Sequence, residues 1–324
     1  MGDGGPGAAH PRRAGVTTGR FAPSPSGWMH LGNARTALMA WLDARSRGGR
    51  VLLRIEDLDR DRCRPEFSDA IRRDLQWLGL DWDEETAPQS TRDPAYRAAV
   101  DRLDAAGLIY ECYCTRRELA VASAPQGPSD EPTAYPGTCR ELTAERRAQL
   151  RAEGRRPALR ARMPDHVPAV HDRVHGEVPG GAGGDIVVRR SDGLHAYQLA
   201  VVVDDAADGV TDVVRGDDLL ASTGRQAALG QMLGLPAPGY AHVPLVVDEH
   251  GVRLAKRHAS LAIQALRDAG VSSEVLVAAM ARSAGPGDHV RCSPAELVAG
   301  FDITRIERRP WAADEVKLRT TDRS

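Results

Sequence analysis

The run Gly19-Arg20-Phe21-Ala22-Pro23-Ser24-Pro25-Ser26-Gly27-Trp28-Met29-His30-Leu31-Gly32-Asn33 constrains this chain more than any other stretch. It reads as the end of a strand, a Pro/Gly-rich turn, and a His-x-Gly at the head of an amphipathic helix. That layout makes an anion pocket, because backbone N–H groups at a helix N-terminus point outward and carry partial positive charge. Glycine lets a phosphate approach the main chain, and a histidine at the lip can donate to it. The run carries neither G-x-G-x-x-G nor G-x-x-x-x-G-K-[ST], which sets those two nucleotide-binding readings aside.

Bulk properties narrow the choice further. With 324 residues the chain can form two domains, or one large domain with an insertion. The formal net charge is −2, so any nucleic-acid contact must use a local basic face. Arginine far outnumbers lysine, which suits bidentate phosphate contacts. Aromatic residues make up 4%, predicting an aliphatic, alanine-rich core. No apolar run reaches the length of a membrane span, so no membrane partner is expected. Met1 to Gly15 is Gly/Pro/Ala-rich without an apolar stretch; it reads as a disordered tail, not a signal peptide, and a cytoplasmic location is the expectation. Five cysteines (Cys63, Cys112, Cys114, Cys139 and Cys292), an odd number with three clustered, argue against a secreted disulfide framework.

Along the chain, Val16 to Phe21 predicts a strand, Leu31 to Arg47 a helix stopped by Gly48-Gly49, and Val51 to Ile55 a second strand, together a parallel β-α-β unit. Pro65 and Pro94 open helices running to Leu78 and Ala106. Leu108 to Cys114 reads as a strand leading into a different texture. From Thr115 to Asp185 the chain has a Pro/Gly/Ser-rich stretch (Ala124 to Pro136), a charged helix (Leu142 to Gly154) and a glycine loop (Gly180 to Gly184), read as an insertion. Ile186 to Arg190, a Ser191-Asp192-Gly193 turn and Ala196 to Val203 read as a hairpin or paired strands. Val210 to Val214 predicts a strand, Ser222 to Leu233 a helix, and Val243 to Val247 a last buried strand before a turn at Asp248 to Gly251. Helices are expected at Leu261 to Ala269, Ser273 to Ala284 and Pro294 to Ala299, with a charged, mobile end from Arg305 to Ser324.

The segment Arg20 to Asn33, followed by Arg54-Ile55-Glu56-Asp57, resembles the ATP signature of the class I aminoacyl-tRNA synthetases in its glutamyl form. A second signature of that family, Lys-Met-Ser-Lys-Ser, sits on a loop after the last core strand. Arg253-Leu254-Ala255-Lys256-Arg257-His258 stands in that place and is similar to the glutamyl variant Lys-Leu-Ser-Lys-Arg-His. Arg253 replaces a lysine and Ala255 a serine, while Lys256 is retained; slower or differently timed loop closure is expected, not inactivity.

The resemblance implies an α/β fold: a Rossmann-type parallel-sheet core at 16–110 and 186–257, a zinc-binding insertion at 111–185, and a small helical C-terminal part at 258–324. It implies His30 and Lys256 as catalytic residues, and His30, Gly32, Asn33 and Lys256 as the ATP site, with Mg²⁺ accompanying ATP. A glutamate side chain needs fixed cations. By resemblance these are Arg20 and Arg215, the latter in Val214-Arg215-Gly216-Asp217-Asp218. Glu56 would hold the substrate ammonium, Tyr197 would stand at the substrate's edge, and Phe21, Ala22, Pro23 and Ser24 would contribute from the first turn.

Cys112-x-Cys114 and Tyr135-x₃-Cys139 bring three thiolates into a short span, which suits one structural Zn²⁺ in a tetrahedral site. The residues alone leave the fourth ligand open among Tyr135, His166, His171 and His175. Resemblance to the glutamyl-queuosine tRNA(Asp) synthetases, which carry the same C-x-C … Y-x₃-C arrangement, favours Tyr135. Cys63 and Cys292 read as ordinary free thiols.

Ordinary glutamyl-tRNA synthetases continue past the lysine loop into helical domains that read the anticodon. About seventy residues follow Arg253 here, so no such domain is expected. The short family lacking that half activates L-glutamate with ATP and transfers it to queuosine at the wobble position of tRNA(Asp). Its anticodon loop would enter the cleft, with Arg116-Arg117 and Arg146-Arg147 offering phosphate contacts. A monomer is expected. The alternatives are a truncated glutamyl-tRNA synthetase charging tRNA(Glu) and an inactive RNA-binding paralogue.

Overall fold

The structure is a computed structural model that describes residues 15–115, 117–119, 135–248, 250–254, 261–285 and 289–313. The readings made for the N-terminal tail up to residue 14, for Arg116, for most of the Ala124 to Pro136 stretch, for Ala255 to His258 and for the chain end from residue 314 lie outside the described residues.

The chain begins with β1 (Thr18–Phe21), α1 (Leu31–Ser46) and β2 (Arg50–Leu53). It continues through α2 (Pro65–Trp77), β3 (Glu84–Glu85), α3 (Asp93–Ala105) and β4 (Ile109–Cys112). Next come α4 (Ala144–Ala152), β5 (Ala158–Ala161), β6 (Val170–Asp172), β7 (Gly176–Val178) and β8 (Ile186–Arg189). Then follow α5 (Tyr197–Ala207), β9 (Asp212–Gly216), α6 (Leu220–Met232), β10 (Gly239–Val243) and β11 (Val246–Val247). The last elements are α7 (Ile263–Asp268), α8 (Ser273–Arg282), α9 (Pro294–Leu297) and β12 (Trp311–Ala312).

The main sheet has the order β3-β2-β1-β9-β10-β6-β7 and is parallel except for β7. The chain winds outward from β1 through β2 to β3, then returns to β9 on the other side of β1. That reversal opens a crevice at the carboxyl ends of β1 and β9, the usual ligand position in such sheets. A separate antiparallel sheet, β4-β5-β8, carries the cysteine segment.

Helix α1 is buried on nearly every side, because β1 and β9 cover one face and α8 and α9 the other. Its end is set by Gly48, whose φ of +64° an L side chain rarely adopts. Arg35, fully enclosed on this helix, donates to the Pro244 carbonyl at 2.6 Å and the Ser283 hydroxyl at 2.7 Å. Helix α1 is thereby tied to the end of β10 and to the C-terminal helices. Among the described residues no helix is long and apolar enough to cross a membrane.

Three sequence expectations are corrected. Ala196 to Val203 is not a strand: after the turn the hairpin stops at a single bridge, Arg189 to His195, and α5 begins at Tyr197. The β propensity of Val201-Val202-Val203 loses to packing, since Leu199 and Ala200 fill a core shared with Leu229 and Tyr96. Val243 to Val247 is not one strand, because Pro244 has no N–H for the ladder; β10 ends at Val243 and β11 pairs instead with β12. The chain from Arg305 is therefore not all tail, for Trp311 and Ala312 are held in that pairing.

Candidate active site

Every expected substrate residue among the described ones lines one cleft, at the carboxyl ends of β1 and β9. Arg20, Phe21, Ala22, Pro23, Ser24, His30, Gly32, Asn33, Glu56, Tyr197 and Arg215 all face it. The cleft has a cavity volume of about 170 Å³ and opens to solvent. Arg253 and Leu254 line it too, whereas Lys256 lies outside the described residues. Arg253 pairs with Asp218 at 2.6 Å.

His30 is the N-cap of α1. Its Nδ1 accepts from the backbone N–H of Gly32 at 3.1 Å and of Asn33 at 3.4 Å. A neutral ring in that role carries its proton on Nε2. The helix-start amides expected to face a phosphate are thus partly taken by the histidine itself. The spacing has a steric reason: a Cβ at Gly32 would come within 3.0 Å of His30 Cε1.

On the β1 side the polar groups are charge-balanced. Arg20 bonds to Asp205 Oδ1 at 3.3 Å and to the Val214 carbonyl at 3.2 Å. Arg54, with no exposed surface, bonds to Asp205 at 2.7 Å, to Asp208 at 3.0 Å and to Glu56 at 3.2 Å. Burial pushes the Glu56 carboxyl up to about 7, although Arg54 and Arg20 pull it down. Asp205 is lowered instead, since Arg20 and Arg54 together outweigh its burial.

On the β9 side the support is different. Arg215 Nε donates to His242 Nε2 at 3.0 Å, and its Nη2 donates to the Thr223 hydroxyl at 2.9 Å. His242 Nδ1 lies 2.6 Å from Asp172 Oδ2. Burial resists the Asp172 charge, but the His242 contact and the backbone N–H groups of His175 and Val174 overcome it and bring the carboxyl down to about 2. Burial, followed by the Arg215 charge, lowers the His242 imidazole against the opposing pull of Asp172. Tyr197 opens α5 at the cleft wall, its phenol raised to about 12 by burial and then by Glu56, so it stays a hydroxyl.

Sequence reasoning missed Asp172, Thr223 and His242, and also Asp204, Asp205 and Asp208. The last three were legible in principle: on a helix, residues 204, 205 and 208 share one face. Reading that segment as a strand hid the pattern.

The cysteine segment forms a compact knot on the β4 sheet. The sulfurs of Cys112, Cys114 and Cys139 lie within 4.8 Å of one another and could hold a metal ion; no histidine joins them among the described residues. The Tyr135 hydroxyl lies 3.4 Å from Cys112 Sγ and 3.6 Å from Cys114 Sγ. It accepts from the Cys139 amide at 2.9 Å, and the Arg160 guanidinium sits 3.7 Å from its ring centre. Burial and then the Cys112 and Cys114 contacts raise the Tyr135 phenol well above its ordinary value, against the pull of the Cys139 amide. The three sulfurs are the donors that suit a tetrahedral ion. Cys63 and Cys292 are free cysteines.

The sheet order, the crevice and the His-x-Gly cap define a class I synthetase core. The family described as tRNA synthetases class I (E and Q), catalytic domain, matches residues 16–320, and the chain belongs to it. It is 52% identical over 304 residues to a glutamyl-Q tRNA(Asp) synthetase from Symbiobacterium thermophilum, covering 90% of this chain and 94% of that protein. To a glutamate--tRNA ligase 1 from Halorhodospira halophila it is 44% identical over 313 residues, covering 93% of this chain but 65% of that one. The crystal structure of glutamate-tRNA synthetase from Elizabethkingia anophelis superposes with a TM-score of 0.79 at 26% identity, covering 94% of this chain and 70% of that one.

Proposed function

We propose that this chain activates L-glutamate with ATP and transfers it to queuosine in the anticodon loop of tRNA(Asp). It is a ligase of the aminoacyl-tRNA synthetase type. The observation that carries the glutamate assignment is the single cleft joining the His30 cap to two buried arginines and one buried carboxylate. The acceptor assignment rests on the relatives: the chain is 52% identical to a glutamyl-Q tRNA(Asp) synthetase and 44% identical to a glutamate--tRNA ligase.

In the first step a carboxylate oxygen of glutamate attacks the α-phosphorus of ATP. The P–O bond to pyrophosphate breaks, leaving glutamyl-adenylate. His30 Nε2 donates to the phosphoryl oxygens and Lys256 supplies a cation where negative charge develops. Mg²⁺ accompanying ATP would supply shielding of the triphosphate charge. In the second step a queuosine hydroxyl attacks the mixed anhydride, AMP leaves, and the hydroxyl proton is lost to solvent. Proximity does most of the work, since the anhydride is already reactive. Arg215 and Arg20 hold the side-chain carboxylate, Glu56 the ammonium, and Tyr197 the edge of the substrate. Zn²⁺ on Cys112, Cys114, Tyr135 and Cys139 would pin the insertion beside the RNA end of the cleft. We expect one equivalent per chain and a lowered melting temperature after chelation, both read by metal analysis and calorimetry.

The test is acceptor identity. Glutamate incorporated into queuosine-containing tRNA(Asp) that lacks its 3′-terminal adenosine, and absent with queuosine-free tRNA(Asp), supports the proposal. Incorporation only into full-length tRNA(Glu) refutes the acceptor, and no glutamate-dependent ATP–pyrophosphate exchange refutes the activity.

A further inference from the structure

Asp172, His242 and Arg215 lie on β6, β10 and β9, three adjacent strands of the main sheet. His242 and Arg215 are paired residues in the parallel register, and Tyr240, two positions earlier on β10, pairs with Asp172. The three side chains form a lateral bar running across the sheet toward the cleft. Asp172 is the fixed end. Its carboxylate accepts from the backbone N–H groups of Val174 and His175, both at 2.9 Å, and of His242 at 3.0 Å. It also receives the His242 Nδ1 proton at 2.6 Å. That bond fixes the tautomer, leaving Nε2 as an acceptor for the Arg215 Nε–H. The Thr223 hydroxyl closes the far side, 2.9 Å from Arg215 Nη2 and 3.1 Å from His242 Nε2. Asp172 is 1% exposed, His242 0% and Arg215 5%, so solvent does not screen the bar.

The chemistry of this support matters more than its rigidity. Arg54 is held by carboxylates that match its charge, and Arg20 shares Asp205 with it. Among the described residues no carboxylate lies within 4 Å of Arg215. An imidazole stands between it and Asp172, and Asp205 acts on it without a direct ion pair, so direction comes without a paired carboxylate. A buried guanidinium held this way has its attraction for an anion left over.

We propose that His242 is a positioning and specificity-determining residue for the amino-acid substrate: through Arg215 it makes the site demand a negatively charged side chain. This rests on Arg215 being the side-chain contact in the proposed function. A neutral amide isostere such as glutamine would leave the guanidinium charge unmatched in a buried site, which is how a polar pocket rejects an analogue.

Steady-state ATP–pyrophosphate exchange on the full chain tests this with His242→Leu and His242→Gln. Leucine removes the acceptor, while glutamine returns a carbonyl oxygen for the Arg215 Nε–H. For His242→Leu the expected result is a glutamate KM raised tenfold or more, an ATP KM within twofold of wild type, and a glutamate-over-glutamine preference reduced at least tenfold. His242→Gln should recover most of the preference. A glutamate KM and preference unchanged in His242→Leu overturn the proposal. So does a rise in both KM values together, or a His242→Gln no better than His242→Leu. If His242→Leu does not fold, Thr223→Val carries the test: a glutamate KM raised about threefold (~0.65 kcal/mol at about 1.4 kcal/mol per tenfold) with ATP unaffected supports the bar, and no change overturns it. Wild-type enzyme without glutamate-dependent exchange would instead sink the underlying function.

Discussion

The two sides of the cleft hold their arginines in opposite ways. On the β1 side, Arg20 and Arg54 meet Asp205, Asp208 and Glu56 in a buried network of matched charges. On the β9 side, Arg215 leans on a neutral imidazole and a hydroxyl. The first arrangement fixes the wall and leaves Arg20 only part of its charge for a ligand. The second fixes direction and leaves charge for a ligand. A buried cation is therefore read from what holds it, not from burial alone.

The largest effect should come from removing the cation that has no directly paired carboxylate. Arg215→Ala is expected to lower kcat/KM for glutamate in exchange by at least a thousandfold (about 4 kcal/mol). Circular dichroism and melting temperature should stay close to wild type. If the fold were lost instead, the contrast between the sides would fail, because Arg215 would be structural.

Arg54→Met should do the reverse. It strands Asp205 and Asp208 in a buried setting, and losing one partner of such a network costs about 3–5 kcal/mol. Urea denaturation should report that loss. A variant as stable as wild type would show that the β1 network does not hold the wall.

Glu56 sharpens the comparison through pH. Its folded-state pKa of about 7 lies above the ordinary value of 4.5. The folded protein thus binds more protons than the unfolded chain between those values, so its stability falls as pH rises through that window. Glu56→Gln removes this penalty. The variant's stability relative to ligand-free wild type should improve between pH 4.5 and 8, by up to about 3 kcal/mol, while glutamate KM worsens. Parallel pH–stability curves for the two proteins would contradict the assignment.

The smallest expected effect is at the cap. Gly32→Ala forces the His30 ring aside by a few tenths of an ångström, since the added carbon would sit 3.0 Å from Cε1. A several-fold rise in ATP KM, about 1 kcal/mol, is expected with glutamate KM unchanged.

The β1 wall was legible because its residues are contiguous. Arg20 to Asn33 forms a strand, a turn and a capped helix, and local chemistry dictates each. The β-α-β unit and the cysteine knot followed from local signals in the same way. The β9 wall was not legible beyond Arg215. Its supports come from residues 172, 223 and 242, which only sheet order brings together. The hairpin of β6 and β7, read as part of an insertion, pairs with β10 at the far side of the main sheet and delivers Asp172. Asp205 was missed for a local reason, because three consecutive valines made helix α5 look like a strand.

A crystal structure with a non-hydrolysable glutamyl-adenylate analogue tests the central claim most directly. The account predicts the side-chain carboxylate on the Arg215 guanidinium, the ammonium within reach of Glu56, and the phosphate at the His30 ring, with the Asp172–His242–Arg215 bar unmoved. An analogue whose carboxylate rests elsewhere, with Arg215 turned away from it, would contradict the account.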